Sequence, residues 1–332
     1  MASIWLYAFL YFLFYIPFIA LSKSISSGLW PGMTERMDGA ILLPVATAAS
    51  VLTMLAFLAV SGWWRHAGRV SVMGLALPMP TRWTLASGIC TSAILTTTTL
   101  AYTFEGVSIV FIMLLMRGGV LIMAPLVDLI SRRQTRLPSW IGLGLSLAAV
   151  SVAFVEDGGT ELTLVAAFNV ALYLASYFIR LRFMSRLAKT DDPDRTRRYF
   201  VEEQLVVAPF TLLALGGFAW LGQGPFMLAV REGFLHWPFQ GLLLPTIAVG
   251  VFSQLIGIFG TLVFLDKSEN TFSVPVNRCS SVLAGLAASL VLSLGFGLAP
   301  PSGHELVGAA LVMVAILVLS LAPLLNRART AA

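Results

Sequence analysis

Charge is what this sequence has least of. Only 11% of its 332 residues are Asp, Glu, Lys or Arg, less than half of the roughly 25% carried by an average soluble protein. Hydrophobic residues make up 58%, and mean hydropathy is +0.88. Too few polar side chains remain to cover a soluble body of this size, which excludes a cytosolic enzyme or a nucleic-acid binder. Cysteine is scarce too. Cys90 and Cys279 both lie in apolar stretches, the pattern of small packing residues rather than of a disulfide framework or a metal site. His66, His236 and His304 are scattered at the ends of apolar runs without ligand spacing. With no Ser-His-Asp arrangement, Gly-rich phosphate loop or ATP-binding segment, nothing points to catalytic residues, a metal or a cofactor.

What the chain does have is apolar runs of membrane-crossing length. A spanning helix needs about 20 mostly apolar residues, and ten segments qualify: roughly 3–22, 38–61, 83–103, 107–130, 138–156, 161–180, 200–221, 240–264, 271–295 and 304–325. The first lacks a basic leader region and nine more follow, so it is expected to be retained rather than cleaved as a signal. If the N-terminus lies in the cytoplasm, 16 cations fall in cytoplasmic connections and tails, among them Arg132, Arg133, Arg180, Lys189 and Lys267. The outer connections hold three, Lys23, Arg36 and Arg231, beside the acidic Glu156, Asp157 and Glu161. This bias predicts a plasma (inner) membrane protein with both termini cytoplasmic. Two of the 21 cations remain, Arg117 and Arg278, and both fall inside spans.

The spans also repeat. Tyr7, Tyr11 and Tyr15 of span one are matched 162 positions later by Asn169, Tyr173 and Tyr177 of span six. Four-residue spacing puts each triplet on one helical face. Arg117 and Arg278 are separated by 161 positions, and each follows an acidic residue near the start of its span, Glu105 in one case and Asp266 with Glu269 in the other. Five spans per half is an odd number, so the second half enters the membrane in the opposite sense. The expected fold is an all-α membrane protein of ten transmembrane helices in two inverted five-helix repeats, 1–158 and 159–332. That is the geometry of alternating access.

On these residues the chain resembles the drug/metabolite transporter superfamily, which includes the EamA-type carriers, the nucleotide-sugar transporters and the triose-phosphate translocators. The local likeness is best over 105–150, in "RGGVLIMAPLVDLISRRQTRLPSWIGLGL". There Pro125, Arg132, Arg133, Gly142 and Gly144 fit the family's Pro-containing fourth helix, basic turn and Gly-rich fifth helix. "VPVNRCSSVLAGLAASLVLSL" stands where the ninth helix is expected. The resemblance implies ten helices around a central cavity lined by the first and sixth.

The candidate site follows from the two displaced cations. An arginine at mid-membrane costs at least about 2.5 kcal/mol and normally faces a cavity. Glu105, Asp128, Glu202, Glu203 and Asp266 all lie near span ends, so the span interiors offer the arginines no evident carboxylate partner. An anionic ligand is the simplest relief, because the guanidinium fork suits phosphate or carboxylate. The plainer alternative is that each arginine caps carbonyls of a broken helix or snorkels to an interface. Tyr11, Tyr173 and Tyr177 are candidate cavity residues or ordinary packing, and Asn277 and Gln254 are amides awkward to place in lipid. Thr97, in the run Thr96 to Thr99, is a further candidate, although threonine hydroxyls readily bond back to their own helix. Gly118, Gly119, Ala284 and Gly285 read as close-packing positions. "DDPD" at 191–194 resembles the acidic motifs of membrane prenyltransferases, but it stands alone and is followed by arginines, as a solvated loop would be.

The resulting expectation is a transporter, secondary-active or facilitative, for a small organic anion or a phosphorylated or amphiphilic metabolite, and not an enzyme. The alternatives are a flippase for a lipid-linked substrate and a membrane-embedded lipid-modifying transferase. Its partners are an anionic small molecule or lipid headgroup and the bilayer itself, with no nucleic acid.

Overall fold

The computed structural model describes residues 4–33, 37–72, 75–101, 109–156, 164–236, 241–297, 300 and 303–331. Arg36, Glu105, Asp157 and Glu161 lie outside them. Eleven helices account for most of the described chain: α1 (Ile4–Ser26), α2 (Gly39–Ser61), α3 (Arg82–Ala101), α4 (Ile109–Ile130), α5 (Leu137–Glu156) and α6 (Leu164–Leu187), then α7 (Pro193–Leu221), α8 (Gly224–Leu235), α9 (Leu243–Phe264), α10 (Asn270–Phe296) and α11 (Gly303–Ala331). Among the described residues α1, α2, α7, α9 and α10 are long and apolar enough to cross a membrane. Large apolar side chains such as Leu52, Leu129, Leu213 and Leu294 stand exposed on the helices, as the lipid-facing side of a membrane bundle requires.

Local chemistry sets the helix ends. Asp38 accepts from the backbone N–H of Ala40 at 2.8 Å to start α2, and Asp192 does the same for Asp194 at 2.9 Å to start α7. α7 stops at Gly222, whose φ of +59° is a left-handed conformation that glycine adopts without strain. Arg231 of α8 then folds back over that corner and donates to the carbonyls of Ala219 and Trp220 at 2.6 and 2.8 Å. Its guanidinium supplies partners that the last turn of α7 lacks.

Three elements were not visible as apolar runs. One is α8. The others are a short 3-10 helix, Trp63–His66, and an antiparallel hairpin of β1 (Arg69–Val72) and β2 (Leu75–Pro78), paired Arg69 to Pro78 and Val72 to Leu75. The buried Glu202 pins the hairpin, accepting from Gly68 and Thr81 backbone N–H groups, both at 3.1 Å, and from the Thr84 hydroxyl at 2.8 Å. A carboxylate reaching across from α7 thus replaces the local turn signal that a sequence reading looks for.

Packing places α1 against α9 and α10, and α3 against α6 and α7. α2 lies against α7, α8 and α9, α4 against α6 and α10, and α5 against α11. Small residues set the closest crossings. A Cβ on Gly250 of α9 would strike the carbonyl oxygen of Ala46 in α2, and one on Gly88 of α3 would come within 2.6 Å of Val206 in α7. Ser50 bridges the α2–α9 crossing, donating to the Gly250 carbonyl at 2.8 Å.

Candidate functional site

The two arginines converge on the tyrosines. On α1, Tyr11 and Tyr15 hold their ring centroids 5.3 Å apart; on α6, Tyr173 and Tyr177 hold theirs 4.8 Å apart. The guanidinium carbon of Arg278, from α10, lies 5.0 Å from the centroid of the Tyr177 ring, close enough for a cation–π contact. Arg117, from α4, lies within electrostatic reach of both Tyr11 and Tyr173, as does Arg278. Tyr11, Tyr173 and Tyr177 are buried. Gly260 of α9 admits Tyr11 and Asn277: a Cβ there would meet the Tyr11 ring at 2.9 Å and the Asn277 amide nitrogen at 3.3 Å. Four long helices and α9 therefore meet at one cluster.

The Tyr177 hydroxyl accepts from Arg278, yet the cluster keeps donors that no acceptor meets. Nε and Nη2 of Arg278 and Nδ2 of Asn277 are shielded from solvent and find no hydrogen-bond partner among the described residues. No ion pair reaches Arg278 or Arg117 among those residues either. Such groups bind acceptors, and two cations favour a negatively charged one.

The remaining candidates sit differently. The hydroxyl of Thr97 donates to the Ala93 and Ile94 carbonyls of its own helix at 2.7 and 3.1 Å. Its backbone oxygen accepts the Asn169 amide at 3.0 Å, so that asparagine ties α6 to α3. Gln254 is half-buried on α9, with no hydrogen bond to the cluster among the described residues.

At one place the expectation of a carboxylate-free interior is overturned. Glu203 is wholly buried and forms a two-pronged ion pair with Arg180, both contacts at 3.0 Å. Ser87 and Thr91 donate to the same carboxylate at 2.6 and 3.2 Å, and Arg180 also donates to Thr261 at 3.0 Å. Arg180 had counted among the connection cations. The helices run past their apolar cores: α6 continues to Leu187 and α7 begins at Pro193, so both charges face each other inside the bundle. The available signal was spacing, since Arg180 follows Tyr177 by three residues and shares its face. Charge in apolar helices is thus both compensated, at Arg180, and uncompensated, at Arg278.

The acidic run 191–194 forms a solvated corner. Asp191 pairs with Lys267 at 2.8 Å, and Asp194 pairs with Arg197 at 3.1 Å. Among the described residues no three His, Cys, Asp or Glu side chains gather as a metal site.

Lys189, in the connection after α6, is buried and donates to the Ser268 carbonyl and the Ser273 hydroxyl, both at 2.9 Å. Burial pulls its pKa from the ordinary 10.5 down to about 7; Arg133 adds to the fall, while Asp128, Asp266 and Glu269 oppose it. The unfolded chain keeps this proton up to about 10.5, but the folded chain releases it near 7. The native state is therefore expected to lose stability as pH falls from about 10 to 7, by up to about 1.4 kcal/mol per pH unit, and to level off below. Thermal unfolding across that range in detergent checks this, and Lys189→Met should flatten the slope.

No family model matches the chain, and no curated protein matches it. Among solved structures, a crystal structure described only as that of a protein superposes on 95% of this chain and 96% of its own. The TM-score is 0.56 and the identity 17%. At that identity the likeness shows a shared fold and carries no activity with it.

Proposed function

We propose that this chain is a secondary transporter of the drug/metabolite type that moves a small organic anion by alternating access. It would be built as ten membrane helices in two inverted halves, 1–158 and 159–332, with α8 as an addition to the second. Both termini would lie in the cytoplasm of a plasma (inner) membrane. The packing supports the inversion, because contacts recur when α1 to α5 are exchanged for α6, α7, α9, α10 and α11. α1 on α9 corresponds to α6 on α3, α2 on α9 to α7 on α3, and α1 on α10 to α6 on α4. Gly88 and Gly250 are 162 positions apart, the offset of the tyrosine pairs, and each makes a close crossing between the two halves. An inverted repeat about a midplane site lets the two access states mirror one another.

One observation carries the choice of an anion. Arg278 presents shielded, unpartnered guanidinium nitrogens at a cluster to which Arg117 also contributes charge. Neither a structural cap nor a snorkelling cation leaves its donors so placed. The test is reconstitution in liposomes, with inorganic phosphate, monocarboxylates and dicarboxylates screened by thermal shift and the hits followed by uptake. Wild-type protein should be stabilised by at least one of these anions and should carry it. Arg278→Ala and Arg117→Ala should lose both properties. Equal binding and uptake in both variants would show the reading to be wrong.

A further inference from the structure

One end of the bundle, where α3, α5, α7 and α10 begin and α4, α6 and α9 finish, is closed by a polar network. At its centre Asp128, on the last turn of α4, is fully buried. It accepts the backbone N–H groups of Asn270 and Thr271 at 2.9 and 2.6 Å, the Asn270 amide at 2.6 Å and the Thr271 hydroxyl at 2.7 Å. These backbone donors are the ones that the first turn of α10 cannot satisfy internally. A helix ordinarily takes its cap from the residue just before it. Here Glu269 occupies that position and makes no capping bond, accepting instead from Ser139 of α5 at 2.7 Å. The cap comes from a residue 142 positions earlier. Arg133 completes the closure, donating to the Lys267 carbonyl at 3.0 Å and to the Ser185 and Lys189 carbonyls at 3.2 and 2.7 Å.

Two features mark this contact as one built to part. Every group in it is polar or charged, so water can replace each bond when the surfaces separate, whereas a parted apolar seam would have no such relief. The bonds from Asp128, Arg133 and Ser139 also run between residues before 158 and residues after it. The same two helices carry the arginines: α4 holds Arg117 and Asp128, and α10 holds Arg278 and the capped turn. Thr271 and Arg278 are two turns apart, about 10 Å along α10. Outside the network, a cavity of about 280 Å³ at this end is lined by Tyr7, Asp191, Thr196 and Asp266. Tyr7 lies one turn of α1 from Tyr11 of the central cluster.

We propose that the cap of α10 by Asp128, braced by Arg133 and Lys189, is the closed gate at this end, and that the gate opens when the first turn of α10 leaves Asp128. The proposal rests on the transporter reading, and it adds to that reading the residues that hold one access state shut. An anion drawing Arg117 and Arg278 together would act on the very helices the gate joins.

The test is a distance measurement on the full chain in lipid nanodiscs. Spin labels go on cysteines placed at Gln134 and Arg195, both exposed and one in each half of the chain, with Cys90 and Cys279 replaced by alanine. The parent should give one short, narrow distribution. Asp128→Asn, which turns an acceptor into a donor against the Thr271 N–H, should add a longer population and shift the closed-to-open ratio about tenfold or more. Thr271→Val, which removes one hydroxyl bond, should shift it in the same direction by less, and it reads the gate if Asp128→Asn does not fold. Unchanged distributions in folded variants would overturn the gate. Thermal shift with inorganic phosphate and the anions above, run on the same proteins, separates the two failures. A fixed distance with an intact Arg278-dependent anion response sinks only the gate. A moving distance with no anion response in the parent sinks the anion site.

Discussion

Arg278→Met should make the empty protein more stable while abolishing its response to anions. The two signs together are the informative part. The guanidinium is shielded and unpartnered at two of its nitrogens, and a cation so placed in a membrane helix costs about 2.5–3.5 kcal/mol on insertion scales. A methionine of similar length fills the space without that charge, so the melting temperature in detergent should rise. When an anion binds, the same guanidinium offers charge-assisted bonds, and truncating one partner of such a pair costs about 2–5 kcal/mol, more than tenfold in affinity. Calorimetry or thermal shift with the screened anions reads the second effect. A structural role for Arg278 predicts the reverse of the first sign: the variant would melt earlier, with or without anion.

Glu203→Gln should have the opposite consequence. Arg180 is only 4% exposed, and losing its carboxylate leaves a buried cation with neutral partners alone, the Thr261 hydroxyl and an amide oxygen. Breaking a buried pair from one side costs about 3–5 kcal/mol, a large part of the stability of most folded proteins, whereas replacing both partners with apolar residues is often neutral. Glu203→Gln should therefore unfold early or fail to accumulate, and the double variant Arg180→Met with Glu203→Leu should recover most of the loss. A double-mutant cycle of thermal unfolding, with Arg180→Met and Glu203→Leu as its single variants, measures this. If the two single losses simply add in the double variant, the pair is not the compensated unit described above. Tyr177 sits within electrostatic reach of both Arg180 and Arg278. The two experiments thus contrast a charge the fold has neutralised with one it has left open.

Much of this could be read in one dimension. Each of the ten apolar runs corresponds to a helix of 20 residues or more, because lipid imposes a length and a composition that show directly in the residues. The four-residue spacing of the tyrosines and the near-equal offsets of the arginines identified the residues that later meet. Helical periodicity is local, and it survives into the structure unchanged. The hairpin pinned by Glu202 and the Asp128 cap of α10 were not legible, since each depends on a side chain reaching an element more than a hundred positions away.

What the sequence alone determined, then, is that this is an all-helical chain made for lipid, with two cations where few are tolerated. The tertiary structure decided which charges are satisfied. Arg180 looked like a surface cation because it follows the last apolar residues of its run, yet the extra turns of α6 and α7 carry it against Glu203. Arg278 looked like one of two equivalent buried arginines, and the fold brings it beside a tyrosine ring with donors unmet. Whether a charge costs or stabilises depends on the partners within a few ångströms of it, and only the packing of distant helices supplies those.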